Sequence, residues 1–364
     1  MTAAVLAFTL LLAAANGSND DPKGVATLGG AGVTGYRNAL AWGVITTLAG
    51  SVVSVHIAAA LTELFSTGIV TARPTPAFAL SVLVGATAWV VLATVTRLPV
   101  STTHALIGSL VGVGLVLGPA TIAWASLATR VVVPLLLSVM VAYAVTGALK
   151  LVPGRVPECV CVEVAHPLPG PVPGGAMTPT AATASTVAPV AVIRTGTVEA
   201  CRAHSPAGRG LAVTVNSLHW LTAGAASFAR GVSDTPKIVA VAAFALVPAG
   251  ITTTQLAVAV AGAMAGGGVI GGLRVARRLG DDVVAMDHLD GAKANLASAA
   301  LVGLGATRGL PISLTHVATG AIAGTVGTQP SRLNRRTLQD FALAWTVTPV
   351  VSGAVAAATF LLVR

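Results

Sequence analysis

Asn16 to Lys23 reads N-G-S-N-D-D-P-K, and Arg230 to Lys237 reads R-G-V-S-D-T-P-K. Carboxylates, amines and hydroxyls at this spacing are ion-binding chemistry, yet both stretches sit inside apolar runs. The first 15 residues carry no charged side chain and the 13 after Lys23 carry none. Charge at bilayer depth costs roughly 2.5–3.5 kcal/mol per group on insertion scales, so it persists mainly where it faces a cavity and binds or moves something. A second pair of motifs adds hydroxyls without charge: R-L-P-V-S-T-T-H at 97–104 and G-L-P-I-S-L-T-H at 309–316. Ser101, Thr102, Thr103, Ser313 and Thr315 can donate to oxygens, and with Asn19, Ser233, Lys23 and Lys237 they would line a site suited to a tetrahedral oxyanion. Ser and Thr also cap helices and bridge helix pairs; the doubling of the whole set favours a site.

The elements that hold these residues are membrane helices. The chain of 364 residues is 54% hydrophobic and 9% charged, against about 25% charged in soluble domains. The 40 Gly and 20 Pro suit close helix contacts and broken helices in lipid. The net charge of +9 does not indicate nucleic acid, because most Arg and Lys fall in short loops between apolar segments, where they set topology. All three Cys lie in one polar insert, so no disulfide framework is expected. Residues 1–15 lack a basic flank and run straight into the polar motif, which reads as a retained first helix.

Pro22 is expected to break the first segment, making a discontinuous helix over 1–33. Spans follow at about 38–62, 77–96, 105–117 and 120–149, then a proline-rich flexible linker at 150–209, then the same order again over 210–364. Asp20 maps to Asp234, Ser101 to Ser313, Thr103 to Thr315, His104 to His316, Gly108 to Gly320 and Gly112 to Gly324, at offsets of 212–214. The fold class is therefore all-α and polytopic, with two inverted-topology repeats and about 10–12 transmembrane segments. About five crossings per half, an odd number, would turn the second half over. Basic residues at 37, 97, 150, 155, 194, 202, 209, 274, 277, 278, 332, 335 and 336 would then be cytoplasmic, against Arg73, Arg308 and Arg364 outside. Positive-inside bias puts the termini outside and the linker in the cytoplasm.

The stretches G-S-N-D (17–20), L-P-V-S-T-T-H-A-L-I-G (98–108), G-V-S-D (231–234) and G-L-P-I-S-L-T-H (309–316) resemble the PiT family of inorganic phosphate transporters. The resemblance covers both halves and omits the linker. It implies a plasma-membrane secondary transporter of phosphate, usually a homodimer, working by alternating access with proton or sodium coupling. It places substrate and cation at Asn19, Asp20, Ser101, Thr102, Thr103, Ser233, Asp234, Ser313 and Thr315, and adds Glu63 as a family carboxylate. The departures matter as much. The family motif continues N-D-x-A-N, whereas here Lys23 and Lys237 stand at the Asn position, and Asn295 stands where a Glu is usual. A more positive site is implied, with an ammonium in the place of sodium and sodium coupling weakened or lost; structural neutralisation of nearby carboxylates is the alternative.

Sulfate or another oxyanion, or an uncoupled anion channel, are the competing functions. An intramembrane hydrolase built on Ser101, His104 and Asp20 is disfavoured because the duplication gives no reason for two catalytic centres, and no cofactor is implied. His104 and His316 are open to a proton-relay role or to a helix-start structural one. Arg230 is expected to snorkel toward an interface rather than reach the anion. In the linker, Cys159, Cys161, Cys201 and His204 form a weak zinc-type set.

Overall fold

The structure is a computed structural model that describes residues 1–96, 98, 100–151, 158–165, 190–204, 211–282, 286–326 and 333–364. In the first half the chain forms α1 (Thr2–Gly30), α2 (Tyr36–Ile57), α3 (Ala59–Glu63), α4 (Pro76–Val95), α5 (Thr102–Leu117), α6 (Trp124–Ser126) and α7 (Val133–Leu151), with π-helical turns at Leu64–Gly68 and Leu127–Val132. The second half forms α9 (Val215–Leu246), α10 (Thr253–Asp282), α11 (His288–Thr307), α12 (Leu314–Gly324) and α13 (Arg335–Val363). Six helices among the described residues are long and apolar enough to cross a membrane. Large apolar side chains such as Met140, Leu136, Ile270 and Leu362 lie on the outside, as expected where the solvent is lipid.

The first segment is not discontinuous. α1 runs unbroken through Pro22, and α9 runs unbroken through Pro236. A proline removes one helical hydrogen bond, and membrane helices tolerate this where neighbours pack against the freed backbone. Here α10 lies along α1: Ser18 Oγ donates to Gly267 O at 2.7 Å, and a Cβ on Gly267 or Gly17 would strike the backbone of Ala14 or Met264. Gly272 comes up against the Pro22 ring. Glycines thus let two backbones approach closely around the polar stretch.

The two Leu-Pro links are the tips of hairpins. Thr87 of α4 bonds Phe8 O and Asn19 bonds Leu98 O, so α4 rises alongside α1 from its N-terminal end and stops at mid-height. α5 returns to the same end, where Val70, before α4, bridges Ile122, after α5. The second hairpin mirrors this from the other end of α1. Asn295 of α11 bonds Thr27 near the C-terminus of α1, and Lys150 links Asp290, at the start of α11, to the carbonyl of Thr325, at the end of α12. Among the described residues each half therefore has five helices of 11 residues or more, two of them forming a hairpin whose feet share one end.

The closing helix of each half packs on the other half's hairpin. Gly108 and Gly112 of α5 meet Pro349 and Gly353 of α13, and Gly320 and Gly324 of α12 meet Val139 and Tyr143 of α7.

The insert is a separate compact unit, Pro153–Leu218. Where a flexible linker was expected, it contains an antiparallel sheet, in order β2–β1–β3, of β1 (Cys159–Ala165), β2 (Val190–Gly196) and β3 (Leu211–Thr214), plus the short helix α8 (Val198–His204). The alternation in C-V-C-V-E-V-A explains it: a period of two with β-branched residues makes a strand, and the surrounding prolines hid this in the composition.

Gly267→Val should cost about 1–3 kcal/mol through overpacking, whereas Gly262→Val in the same helix, where an added Cβ meets nothing within 4 Å, should be tolerated. Thermal unfolding in detergent checks this; equal stability of the two variants would contradict the close α1–α10 contact.

Candidate functional site

At mid-height the polar residues of both halves come together in one buried cluster. Asn16, Asn19, Asp20, Asp21 and Lys23 come from α1, Arg230, Ser233, Asp234 and Lys237 from α9, and Ser101, Thr102, Thr103, Ser313 and Thr315 from the hairpin tips; none is more than 8% exposed. α1 and α9 run antiparallel here, since His219 meets Thr27 while Asn16 meets Asp234.

The two lysines cross between halves. Lys23 Nζ contacts Asp20 Oδ1 and the carbonyl of Val100, and donates to Thr315 Oγ1 at 2.7 Å. Lys237 Nζ donates to Asp234 Oδ1 at 3.1 Å and to Thr103 Oγ1 at 2.8 Å. Each ammonium thus joins its own half's aspartate to the other half's threonine. His104 and His316 stack at 4.5 Å with parallel rings, as equivalent residues do across a local two-fold, and Trp345 stacks on His316 at 3.9 Å.

Arg230 does not snorkel. It is fully buried, pairs with Asp21, bonds Asn16 Oδ1 and lies 3.3 Å from Asp234 Oδ2. The reason is charge: three aspartates (20, 21, 234) need three cations, and Lys23, Lys237 and Arg230 supply them. An unpaired buried carboxylate would cost far more than the arginine gains at an interface.

Asn19 and Ser233 hold the tips. The Asn19 amide donates to Leu98 O at 2.9 Å and accepts from Val100 N at 3.2 Å, while Ser233 Oγ reaches Ile312 O at 3.5 Å. Asn16, absent from the residues singled out for chemistry, is central: its amide reaches Asp20, Thr102 and Asp234. Its place in the opening motif was the available signal.

Thr102 Oγ1 donates to Asp20 Oδ2 at 3.0 Å, and Ser101 caps α5 by accepting from His104 N at 3.3 Å. Ser313 stands at the N-cap of α12. The N-termini of α5 and α12, with their unsatisfied first N–H groups, therefore meet at the cluster from opposite ends. This replaces the mid-membrane helix break expected at Pro22.

Glu63 is exposed at the end of α3, and among the described residues no side-chain hydrogen bond or ion pair ties it to the cluster. Asn295 bonds Thr27, outside the cluster. In the insert, Cys159, Cys161 and Cys201 pack together, buried and not joined by a disulfide. Among the described residues no group of three or more His, Cys, Asp or Glu side chains could hold a metal ion, and the side chain of His204, the fourth member of the zinc-type set, lies outside the described residues.

The PHO4 phosphate transporter family matches residues 16–356, a span that takes in both hairpins and the whole cluster. The chain belongs to this family. It is similar to a "Probable low-affinity inorganic phosphate transporter" of Mycobacterium tuberculosis, at 26% identity over 96% of this chain and 74% of that one. A further relative is the low-affinity inorganic phosphate transporter PitA of Escherichia coli, at 35% identity over 25% of this chain and 18% of that one. Among solved structures, "The sodium-dependent phosphate transporter" superposes with a TM-score of 0.69 at 18% identity, covering 99% of this chain and 98% of that one, a likeness of fold. As a member of the phosphate transporter family the chain is a multi-pass membrane transporter, not an enzyme.

Removing Arg230 should unbalance the cluster. Arg230→Met is expected to cost about 3–5 kcal/mol, the penalty for orphaning one partner of a buried pair. The double variant with Asp21→Asn should recover part of it. Detergent unfolding midpoints in a double-mutant cycle measure both, and a stable Arg230→Met protein would contradict the pairing.

Proposed function

We propose that this chain carries inorganic phosphate across the plasma membrane by alternating access, with the central cluster as its binding site. The observation that carries the reading is the meeting of two oppositely entering hairpin tips at one buried polar cluster. Moving one tip would open the site to one side while the other stays shut, which is what an inverted-repeat carrier requires. Hydroxyls of Thr103, Ser101 and Ser313, with the N-termini of α5 and α12, supply donors that a tetrahedral anion needs, and those of Thr102 and Thr315, which here donate to Asp20 and to the Val100 carbonyl, would join them by rotating to the anion.

Phosphate is favoured over sulfate because it carries a proton at neutral pH, and Asp20 and Asp234 are acceptors for such a donor. Family membership points the same way. The chain order supports the topology: α1 begins, and α13 ends, at the foot of the first hairpin, and α7 ends at the opposite end. With the basic residues of 274–278 and 335–336 and Lys150 at that opposite end, the termini are assigned outside and the insert to the cytoplasm. A homodimer is the assembly the family resemblance implies.

Labelled phosphate uptake into proteoliposomes should be saturable and show counterflow, and excess unlabelled sulfate should leave it unchanged. Equal inhibition by sulfate and phosphate would replace the phosphate carrier by a general oxyanion permease, and absence of counterflow by a channel. Thr102→Val and Thr315→Val should each lower uptake roughly 10-fold or more, the factor for losing one hydrogen bond to a charged group.

A further inference from the structure

The arrangement around the two lysines is that of a cation site already filled. Lys23 Nζ is surrounded by a carboxylate oxygen of Asp20, the Val100 carbonyl and the Thr315 hydroxyl. An ammonium has three N–H donors, and all three are used on these acceptors, leaving none for an anion. Carboxylate, carbonyl and hydroxyl oxygens are also the donors that hard cations take. Lys237 makes the equivalent carboxylate and hydroxyl contacts, to Asp234 and Thr103, without the carbonyl. Both amines are at most 2% exposed, so no solvent cation shares these positions in the closed form. A lysine present only to solubilise or snorkel would direct its amine outward; these point inward, each to the equivalent aspartate and the equivalent threonine.

We propose that Lys23 and Lys237 are built-in counter-ions that replace the coupling metal cation, so that phosphate moves through this chain without sodium. This deepens, and rests on, the reading of the cluster as a phosphate site. A tethered ammonium neutralises the aspartates and bridges the halves as a bound sodium ion would, but it cannot leave with the substrate. The sodium gradient therefore does no work. The fold neighbour named as sodium-dependent is the contrast.

The test uses the full chain and two readouts: phosphate uptake in proteoliposomes with sodium or choline outside, and thermal stability in detergent titrated with sodium chloride against choline chloride. The wild type should show the same uptake in both salts and no sodium-specific stabilisation. Lys23→Asn with Lys237→Asn, which empties both positions and keeps the aspartates, should gain sodium-specific stabilisation. Its uptake should become greater in sodium than in choline by about 5- to 150-fold, the range of ordinary site–site coupling. Sodium-dependent uptake or sodium-specific stabilisation of the wild type overturns the proposal, as does a folded double variant indifferent to sodium. If the double variant does not fold, the two wild-type readouts decide. If the wild type moves no phosphate yet only the variant responds to sodium, the counter-ion assignment stands and the phosphate reading falls.

Discussion

Neutralising charge where there is no water is the constraint on which this structure depends. Asp20, Asp21 and Asp234 are buried at the centre of a membrane protein, and each ion removed from water carries a penalty of several kcal/mol that only close pairing offsets. Lys23, Lys237 and Arg230 meet that need, but only if α1, α9 and both hairpin tips stand close together. The glycines bring the helices to that distance: Gly24 against Ser227, Gly231 against Thr47, Gly267 against Ala14. Close backbone packing and central charge are two sides of one requirement, since neither the approach nor the ions would persist alone.

The two halves satisfy this requirement with different residues. Asn16 and Arg230 are equivalent by sequence offset and bond each other. Asp21 has Thr235 as its equivalent, so the extra acid of the first half is answered by the extra base of the second. Thr102 has Leu314 opposite, and Asp234 accordingly draws its contacts from Asn16, Arg230 and Lys237 instead of a tip hydroxyl. The cluster is two-fold in plan, and its charge closes only when both halves are present. Neither half could fold its core alone without leaving an unpaired ion.

Much of this was legible in the chain. Polar motifs inside apolar runs named Asp20, Asp234, both lysines and the tip hydroxyls, because charge in lipid needs a reason. Their repetition tied the halves together. The hairpins were not legible, since the hydropathy of the 20 residues from Pro76 to Val95 is the same whether the helix crosses or stops at mid-height. Pro22 looked like a break because local rules consider one helix, whereas α10 packs on the weakened turn. Arg230 was misplaced for a similar reason: its partner Asp21 is 209 residues away in sequence, and no local pattern connects them. The sheet in the insert was masked by composition.

The two tips are anchored unequally. The first tip is held at Asn19 by one bond to the Leu98 carbonyl, one from the Val100 amide and one to Thr94, and Thr102 adds a bond to Asp20. The second is held by a long contact from Ser233 to the Ile312 carbonyl, by the bond from Lys23 to Thr315, and by the bond from Thr315 to the Val100 carbonyl of the first tip. Both of its feet, at Asp290 and the Thr325 carbonyl, are tied to α7 through Lys150. An outward movement of the second tip breaks fewer bonds than the same movement of the first, and Lys23, freed from Thr315, keeps its pairing with Asp20. Opening toward the C-terminal end of α1 therefore leaves every buried charge compensated, which is the condition that any route through this cluster has to meet.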